Sequence, residues 1–544
     1  MDDLSILIGG AAGDGIKQAG NMIAKLFSRV GKSVFVYEDY QSLIKGGHNF
    51  AIIRASNKPI AIHKDKIDIL IALNQDTLEK HKGDLVIFDS GSCKYDKGIG
   101  IDMSAIAKSN NLPLIVRNVV ALGALGKCLG IDFEYVQNVI KSCLKTKTEE
   151  NIKVSKQGFD LAKSQIKFVI KKANNKPLLS GNEAIALGAV KAGLDFYISY
   201  PMTPASSILH FLADHADKLG IKTIHPENEI AAALMAEGGA YAGKRTMVGT
   251  SGGGFALMVE ALSFAGMAEL PVTFVLSQRF SPSTGVPTYT GQGDLNFALN
   301  AGHGEFPRIV AAPGDADQAF NLSGELLNLS WQFQIPTILI SDKHLSESTF
   351  SADIDEKKIK INMPKMWNKT GEYKRYAITS DGISPLAFPG DKDAVIKTTS
   401  YEHDEYGIAV EDAASIKKMM DKRLLKQKSI LKELKKKKLV KVFGKKNSKI
   451  AIIGWGSILG AGKETAEELG IKFIQPLYLE PFPIWQIEKE LKGVKKLIDI
   501  EMNSTGQLAK LLKANGIECN EIVLKYDGRP FSQDELKGRI SKIL

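Results

Sequence analysis

The stretch IHPENEIAAALMAEGGAYAGKR, residues 224–245, decides the fold class of this chain of 544 residues. It contains a helix-length run of small apolar residues, and strand-like runs stand on both sides of it, KTIH before it and TMVGT after it. A helix of Ala and Gly can pack closely against a sheet, and strands that alternate with helices indicate an open α/β sheet. The sequence therefore predicts an α/β protein whose sheets are mostly parallel.

Two carboxylates, Glu227 and Glu229, stand at the start of this helix. The helix dipole alone could explain them, because Pro226 suits a first helical position and acids stabilise a first turn. The alternative is a catalytic carboxyl that is held in a dry, closely packed setting. The helix by itself leaves both interpretations open.

The alternation of strands and helices continues along the chain and predicts several domains. We expect an α/β domain over residues 1–172, a second over residues 178–345, a less regular connecting segment over residues 346–446 and a last α/β unit over residues 447–544. Loops that follow strands at residues 200–204, 250–254 and 278–294 are expected to carry function.

The net charge of +10 does not indicate a nucleic-acid-binding protein, because the excess forms no groove-sized patch with interleaved aromatic residues. Much of it lies in residues 417–446, which the spacing of Leu and Met predicts to be a solvated amphipathic helix followed by a linker. An acidic protein partner or a polyphosphate ligand would suit this segment.

Neither a membrane helix nor a signal peptide is expected, since no apolar run approaches about 18 residues and the chain begins with the acidic MDDLSILIGG. A cytoplasmic location is therefore expected. The four cysteines are far apart and form no CxxC pair, so no zinc or local iron–sulfur motif is present in the sequence.

Two glycine-rich turns can be compared with known nucleotide-binding motifs. Gly10, Gly13 and Gly15 reverse the order of the G-x-G-x-x-G fingerprint, so NAD binding is not expected, and either an anion at the helix N-terminus or a simple tight turn remains. The second turn, SGGG at residues 251–254, is not followed by a phosphate-binding lysine.

Several motifs together resemble one known family. SYPMTPASSIL, ENEIAAALMAEGGAYAG, TSGGGFALM, QRFSPSTGVPT and HGEFPRIVAAPGD are similar, in the same order, to signatures of the α subunit of the 2-oxoacid:ferredoxin oxidoreductases. The resemblance continues through EHDEYG, EMNSTGQLAKLL and KYDGRPF and covers residues 178–544. GGAAGDGIKQAG and YEDYQSLIKGGHN, nearer the N-terminus, resemble the γ subunit, fused here to the α part.

The resemblance implies a thiamine diphosphate enzyme that decarboxylates a 2-oxoacid oxidatively, transfers the acyl group to coenzyme A and passes electrons to ferredoxin. The substrate would be 2-oxoglutarate, pyruvate or a broad range of 2-oxoacids. The implied α part contains a pyrimidine-binding domain and a transketolase C-terminal-like domain. A separate β subunit would supply the Mg²⁺ and diphosphate site and a [4Fe-4S] cluster, in an αβ or (αβ)₂ assembly, and this chain would hold no metal.

The family's functional residues can be carried over by matching motifs. The resemblance implies that Glu229 hydrogen-bonds N1′ of the aminopyrimidine. The substrate carboxylate would be held by Thr203, Arg279 and Thr288, and further cofactor contacts would come from Tyr200, Pro201, Ser251 and Gly252. Lys45 matches a basic position near the active-site entrance where many members have Arg, although a lysine cannot bind a carboxylate bidentately.

One departure from the family concerns substrate size. The common QRGGPSTG reads QRFSPSTG here, so Phe280 and Ser281 replace two glycines beside Arg279. We expect the preferred size of the 2-oxoacid to differ accordingly.

Two other functions are compatible with parts of the sequence. A non-oxidative thiamine diphosphate enzyme would share the pyrimidine-binding domain, but the γ-like N-terminal domain argues against it. A non-catalytic partner protein could bind coenzyme A or a nucleotide through its N-terminal glycine turn.

Overall fold

The structure of the chain, a computed structural model, describes residues 2–42, 46–166 and 176–544. The chain forms two compact units. The first unit comprises Met1–Ser180, Glu347–Asp353 and Phe531–Leu544, and the second comprises Gly181–Ser346 and Ile354–Pro530.

The described α-helices are α1 Ile16–Arg29, α2 Gln75–Lys80, α3 Met103–Ser109, α4 Arg117–Cys128, α5 Phe133–Cys143, α6 Thr148–Leu161, α7 Gly181–Lys191, α8 Ser206–Asp214, α9 Ala216–Leu219, α10 Glu229–Tyr241, α11 Gly252–Leu257, α12 Val259–Met267, α13 Leu295–Asn300, α14 Ala316–Phe333, α15 Lys343–Glu347, α16 Ala413–Leu434, α17 Leu459–Leu469, α18 Ile484–Leu491, α19 Gln507–Ala514 and α20 Gln533–Ser541. The described strands are β1 Asp3–Ala12, β2 Ser33–Asp39, β3 Gly46–Ser56, β4 Ile69–Ala72, β5 Leu85–Asp89, β6 Ile99–Ile101, β7 Leu178–Ser180, β8 Phe196–Ile198, β9 Lys222–Ile224, β10 Thr246–Thr250, β11 Val272–Gln278, β12 Ile309–Ala311, β13 Thr337–Asp342, β14 Thr349–Ser351, β15 Val440–Gly444, β16 Ile450–Ile453, β17 Lys472–Pro476, β18 Tyr478–Glu480, β19 Lys496–Glu501 and β20 Glu521–Leu524.

The first unit is built on an eight-stranded mixed sheet with the order β6-β5-β4-β1-β3-β2-β14-β7. Strands β6, β5, β4 and β1 run parallel, whereas β3 pairs antiparallel with both β1 and β2. Helix α1 packs on this sheet through apolar residues such as Met22, Ile23 and Phe27, all of which are buried.

The glycine turn before α1 is filled from within the unit. Gly15 adopts the left-handed conformation with φ 71°, which suits glycine. The Asp14 carboxylate accepts the Ala11 N–H at 2.9 Å and lies 2.6 Å from Nη2 of Arg117. Arg117 also donates to Asp89 at 3.1 Å. These bonds favour the tight-turn interpretation over an anion site, and they give a non-catalytic nucleotide-binding function no support.

The second unit contains two sheets. A seven-stranded sheet has the order β18-β12-β13-β11-β10-β8-β9, and its strands are parallel except for β18. A five-stranded sheet has the order β15-β17-β16-β19-β20 and is parallel except for β15. Strand β18, which comes from the C-terminal region, pairs with β12 and so joins the seven-stranded sheet. Buried residues of the seven-stranded and the five-stranded sheets belong to one apolar core.

The prediction of a helix in the basic segment is confirmed by α16, but the prediction that its charges are solvated is wrong on one face. The buried residues of α16 are Met419, Lys422, Arg423, Lys426, Ile430 and Leu434. The Nζ atoms of Lys422 and Lys426 lie 2.6 and 2.5 Å from the two carboxylate oxygens of buried Glu269. Burial would raise the pKa of the Glu269 carboxyl, but the two lysines and Arg375 outweigh it and hold that pKa well below its usual range. The lysines on this face therefore anchor the helix inside the unit.

No helix in the described residues has both the length and the apolar character needed to cross a membrane.

Replacing Glu269 by Gln tests the anchoring role of this carboxylate. The change leaves Lys422 and Lys426 buried without their anion, and breaking a buried ion pair in this way costs about 3–5 kcal/mol in the free energy of unfolding. Glu433→Gln is the matched control, because Glu433 pairs with Lys436 at the surface of the same helix and should cost no more than about 1 kcal/mol. Denaturant unfolding of both variants measures the difference, and equal small losses would contradict the anchoring role.

Candidate active site

Helix α10 begins at Glu229, one residue after its N-cap. The Asn228 side chain accepts the Ala231 N–H at 2.9 Å and so caps the helix. Glu227 and Pro226 precede the cap, and Glu227 is exposed. The expectation that Pro226 begins the helix and that Glu227 lies in its first turn is therefore wrong, because Asn228 is the N-cap. Only Glu229 is buried, with 4% of its surface exposed.

The Glu229 side chain lies directly against the turn that follows β10. A Cβ atom added to Gly254 would lie 2.8 Å from Oε1 of Glu229 and 2.1 Å from Oγ1 of Thr250. Within the described ranges, no protein group hydrogen-bonds to the Glu229 carboxylate. The turn thus holds a buried carboxyl in place, and the oxygens of this carboxyl have no described protein partner.

A cavity of about 520 Å³ lies in the same unit, at the carboxyl ends of β10, β11 and β19. Its lining comes from the loops that follow these three strands and includes Ser251, Gly252 and Arg279. Ligands of open parallel sheets bind at this edge, where the loops converge.

Arg279 is held in position by the chain around the predicted YPMTP turn. Its Nη1 donates to the carbonyl oxygen of Thr203 at 2.9 Å, and 9% of its surface is exposed. The contact uses the backbone of Thr203, not its hydroxyl. Because a guanidinium has five N–H donors, most remain available for a carboxylate.

The other predicted site residues differ in placement. The Ser251 and Thr288 hydroxyls are buried and have no hydrogen-bond partner among the described residues, but only Ser251 lines the cavity. Glu229, Thr203, Tyr200 and Pro201 also lie outside the cavity lining. The Tyr200 ring packs edge-to-face against His225 at 5.8 Å. Lys45 lies outside the described residues.

Comparisons with known proteins identify the family. Residues 187–422 match the family described as pyruvate flavodoxin/ferredoxin oxidoreductase, thiamine diP-bdg, and residues 5–161 match pyruvate ferredoxin/flavodoxin oxidoreductase. The 2-oxoacid:ferredoxin oxidoreductase subunit alpha of Saccharolobus solfataricus is 34% identical, and the match covers 99% of this chain and 98% of that protein. The chain belongs to the 2-oxoacid:ferredoxin oxidoreductase family.

Two further relatives agree along the full length. The 2-oxoglutarate oxidoreductase subunit KorA of Mycobacterium tuberculosis is 27% identical over 98% of this chain and 91% of that protein. A solved structure of the 2-oxoglutarate:ferredoxin oxidoreductase from Magnetococcus marinus, with 2-oxoglutarate, coenzyme A and succinyl-CoA bound, superposes with a TM-score of 0.92 at 31% identity, covering 100% of this chain and 99% of that chain. The predictions of the family, of an α/β fold and of an enzyme are confirmed. The chain is a subunit of a 2-oxoacid:ferredoxin oxidoreductase.

One wall of this oxidoreductase cavity, the loop at residues 502–507, contains none of the site residues predicted from the sequence. Glu501, at the end of β19, fixes this loop: its Oε1 accepts the Leu508 N–H at 2.8 Å, and its Oε2 accepts N–H groups of Asn503 and Trp455. Gln507 then donates to the carbonyl of Gly293 at 2.7 Å, which joins the loop to the opposite wall. The sequence signal for this loop was Glu501, an acid at the end of an apolar strand that is followed by Met502 and the polar run Asn-Ser-Thr-Gly.

A second missed residue is Asp294, which lines the cavity together with Arg279. Burial raises the pKa of its carboxyl to about 6, and the attraction of Arg279 offsets only part of that rise. In the sequence, Asp294 was visible only as the acid that ends the loop at residues 278–294.

Gly254→Ala tests the placement of Glu229 in the enzyme assembled with its partner subunit. The added Cβ must displace the Glu229 carboxyl or Thr250, and a displacement of about 1 Å at a catalytic group costs about 100-fold in turnover. Gly538→Ala is the matched control, because Gly538 also lies in a helix, lies outside the cavity lining, and an added Cβ there meets no atom within 4 Å. Steady-state turnover of both variants is the measurement, and equal losses at the two positions would contradict the close contact.

Proposed function

We propose that the second unit supplies half of a thiamine diphosphate active site, with Glu229 as the group that binds the aminopyrimidine and Arg279 as the group that binds the 2-oxoacid carboxylate. The observation that carries this proposal is the buried Glu229 carboxylate, which the turn at Gly254 positions and which no described protein group satisfies. The reaction proposed is the coenzyme A-dependent oxidative decarboxylation of a 2-oxoacid to acyl-CoA and CO₂, with the electrons passed to ferredoxin.

The residues around Glu229 fit the aminopyrimidine of thiamine diphosphate. The donor set consists of a carboxylate without a described partner and the buried, unpartnered Ser251 hydroxyl. A ligand can approach the backbone of this turn closely, because residues Gly252 to Gly254 have no side chains. Contacts from Tyr200 and Pro201, which lie outside the cavity lining, remain part of the proposal on the resemblance alone.

When bound, thiamine diphosphate supplies a reactive carbon and an electron sink for decarboxylation. Glu229 would hold a proton between its carboxyl and N1′ of the aminopyrimidine. The apolar packing of α10 excludes water from this hydrogen bond, because Ala232, Ala233 and Ala236 are all fully buried. A dry setting strengthens the hydrogen bond and keeps the proton in place.

Arg279 is proposed to orient the substrate. A 2-oxoacid must be held by its carboxylate until that group leaves as CO₂, and a guanidinium fixed by the Thr203 carbonyl offers a preorganised cation for this purpose. The Thr203 and Thr288 hydroxyls remain proposed supporting contacts. Phe280 lines the cavity next to Arg279, so its bulk limits the side chain of the 2-oxoacid; 2-oxoglutarate, pyruvate or both are the proposed substrates.

The rest of the site is proposed to come from a partner subunit. Relatives of this chain are named as α subunits, which implies that enzymes of this family contain further subunits. We propose a β subunit that carries the Mg²⁺ and diphosphate site and a [4Fe-4S] cluster, because the four cysteines here are isolated in sequence. An αβ or (αβ)₂ assembly, a ferredoxin partner and a role of Lys45 at the entrance belong to the same proposal.

Glu229→Gln tests the proposed function in the assembled enzyme. An amide can still hydrogen-bond to N1′ but cannot supply a comparable proton, so C2 deuterium exchange of bound thiamine diphosphate should slow by about 100-fold or more. Glu227→Gln is the matched control, because Glu227 is exposed and precedes the helix, and it should leave exchange unchanged. Quenched-flow NMR of the C2 proton is the measurement.

If Glu227→Gln slowed the exchange and Glu229→Gln did not, the assignment would be reversed. If neither variant changed the exchange, α10 would not face the cofactor.

A further inference from the structure

Asp294 is a second charged group of the active-site cavity, and its carboxylate accepts no hydrogen bond from the described residues. It stands at the N-cap of α13, yet its side chain makes no capping bond. Its Oδ2 is buried and accepts no hydrogen bond from the described residues. A Cβ atom added to Gly252 would lie 2.6 Å from this oxygen, so the carboxyl rests on the SGGG turn.

The position of Asp294 is nevertheless fixed relative to Arg279. Its backbone N–H donates at 2.9 Å to Oε1 of Gln278, the residue that precedes Arg279. Gln278 in turn donates to the Ser341 carbonyl at 3.1 Å in the neighbouring strand. These two hydrogen bonds therefore fix the backbone of Asp294 in the cavity wall, where Arg279 also lies.

The other residues that line the cavity carry no charged side chain, and Glu229, which packs against the same glycine turn at Gly254, lies outside the lining. The turn at residues 251–253 contributes Ser and Gly, and the loop at residues 502–507 contributes Met, Asn, Ser, Thr and Gln. Tyr526 is the other titratable side chain of the lining. Arg279 is thus the sole cation among the described residues that line the cavity, and Asp294 is their sole carboxylate.

We propose that Asp294 takes up one proton from solvent when a 2-oxoacid carboxylate binds at Arg279, so that one anion at a time balances this cation. The inference rests on the proposed function, since it requires that the substrate carboxylate binds there. Departure of the carboxylate as CO₂ removes the second anion, and Asp294 then returns its proton to the cavity.

The electrostatics of the free site support this exchange. Burial raises the pKa of Asp294 to about 6, with Arg279 opposing the rise, so the group is mostly ionised at pH 7. A second carboxylate in the same enclosed space favours the protonated form still more. Proton uptake therefore declines as the pH falls through the pKa of about 6, because Asp294 is then increasingly protonated before the ligand binds. Above that pH uptake approaches one proton, and the affinity for the anion falls by about tenfold per pH unit.

The test counts protons by titration calorimetry of the enzyme assembled with its partner subunit. The probes are oxamate and N-oxalylglycine, unreactive amide counterparts of pyruvate and 2-oxoglutarate. The titrations are run at about pH 7.5, roughly one to two units above the pKa of Asp294, in buffers of different ionisation enthalpy. The dependence of the binding heat on the buffer gives the number of protons bound per ligand. The expected result is close to one proton for the unaltered enzyme and close to none for Asp294→Asn.

Asp315→Asn is the matched control. Burial also raises the pKa of Asp315 to about 6, but Asp315 caps α14 and lies outside the cavity lining. Asparagine caps a helix as well as aspartate does, so this variant should keep the uptake of one proton. The unaltered enzyme provides a second check that needs no variant, because its proton uptake must disappear at about pH 5, roughly one unit below the pKa of Asp294.

The outcomes separate the two claims. If Arg279→Gln leaves the affinity for both probes unchanged, the proposed function is wrong at this residue. If the affinity depends on Arg279 but the unaltered enzyme takes up no proton, or takes up equal amounts at both pH values, the role of Asp294 is wrong. Uptake that persists in Asp294→Asn assigns the proton to another group and also overturns the inference.

Discussion

The contact between the Glu229 carboxyl and the turn at Gly254 is the constraint on which the candidate site depends. It requires glycine at residue 254, because any side chain there would collide with Glu229 or Thr250. It also requires a helix of small residues, since only Ala and Gly allow α10 to approach the sheet closely enough to bury a carboxyl at its first turn. Asn228 caps the helix, so Glu229 need not serve as the cap.

Three buried glutamates of the second unit illustrate how partners decide what a buried carboxylate does. Glu269 is surrounded by cations and anchors α16, while Glu501 accepts N–H groups and fixes a loop. Both are fully satisfied by protein groups and are structural. Glu229 is also buried but has no described partner, a property that it shares with Glu237; the contact with Gly254 at the turn after β10 is what marks Glu229 as the candidate ligand-binding group.

Local pattern was enough to predict much of the fold and part of the site. The strands β10 and β11, the turn between β10 and α11 and the position of Arg279 follow from periodicity and from motif order, which depend on neighbouring residues alone. The buried face of α16 could not be predicted, because lysines at helical spacing are usually solvated. Their counterion is a buried acid that is distant in sequence: Lys422 and Glu269 are separated by 153 residues.

The incorrect expectation for Glu227 and the omission of Asp294 have similar causes. A one-residue shift of the helix start, set by the Asn228 side chain, moved Glu227 outside the first turn. Asp294 gained its setting from Gly252 and Arg279, which belong to loops of other strands. Helix ends and loop-to-loop contacts both depend on tertiary structure, and a single sequence does not contain that information in readable form.

The proposed reaction is tested most directly by a co-substrate omission assay on the chain purified together with its partner subunit. A low-potential acceptor such as ferredoxin or a viologen should be reduced only when a 2-oxoacid and coenzyme A are both present, with acyl-CoA formed in equal amount to the CO₂ released. Sustained CO₂ release without electron transfer to the acceptor, or acceptor reduction that needs no 2-oxoacid, would contradict the proposed reaction.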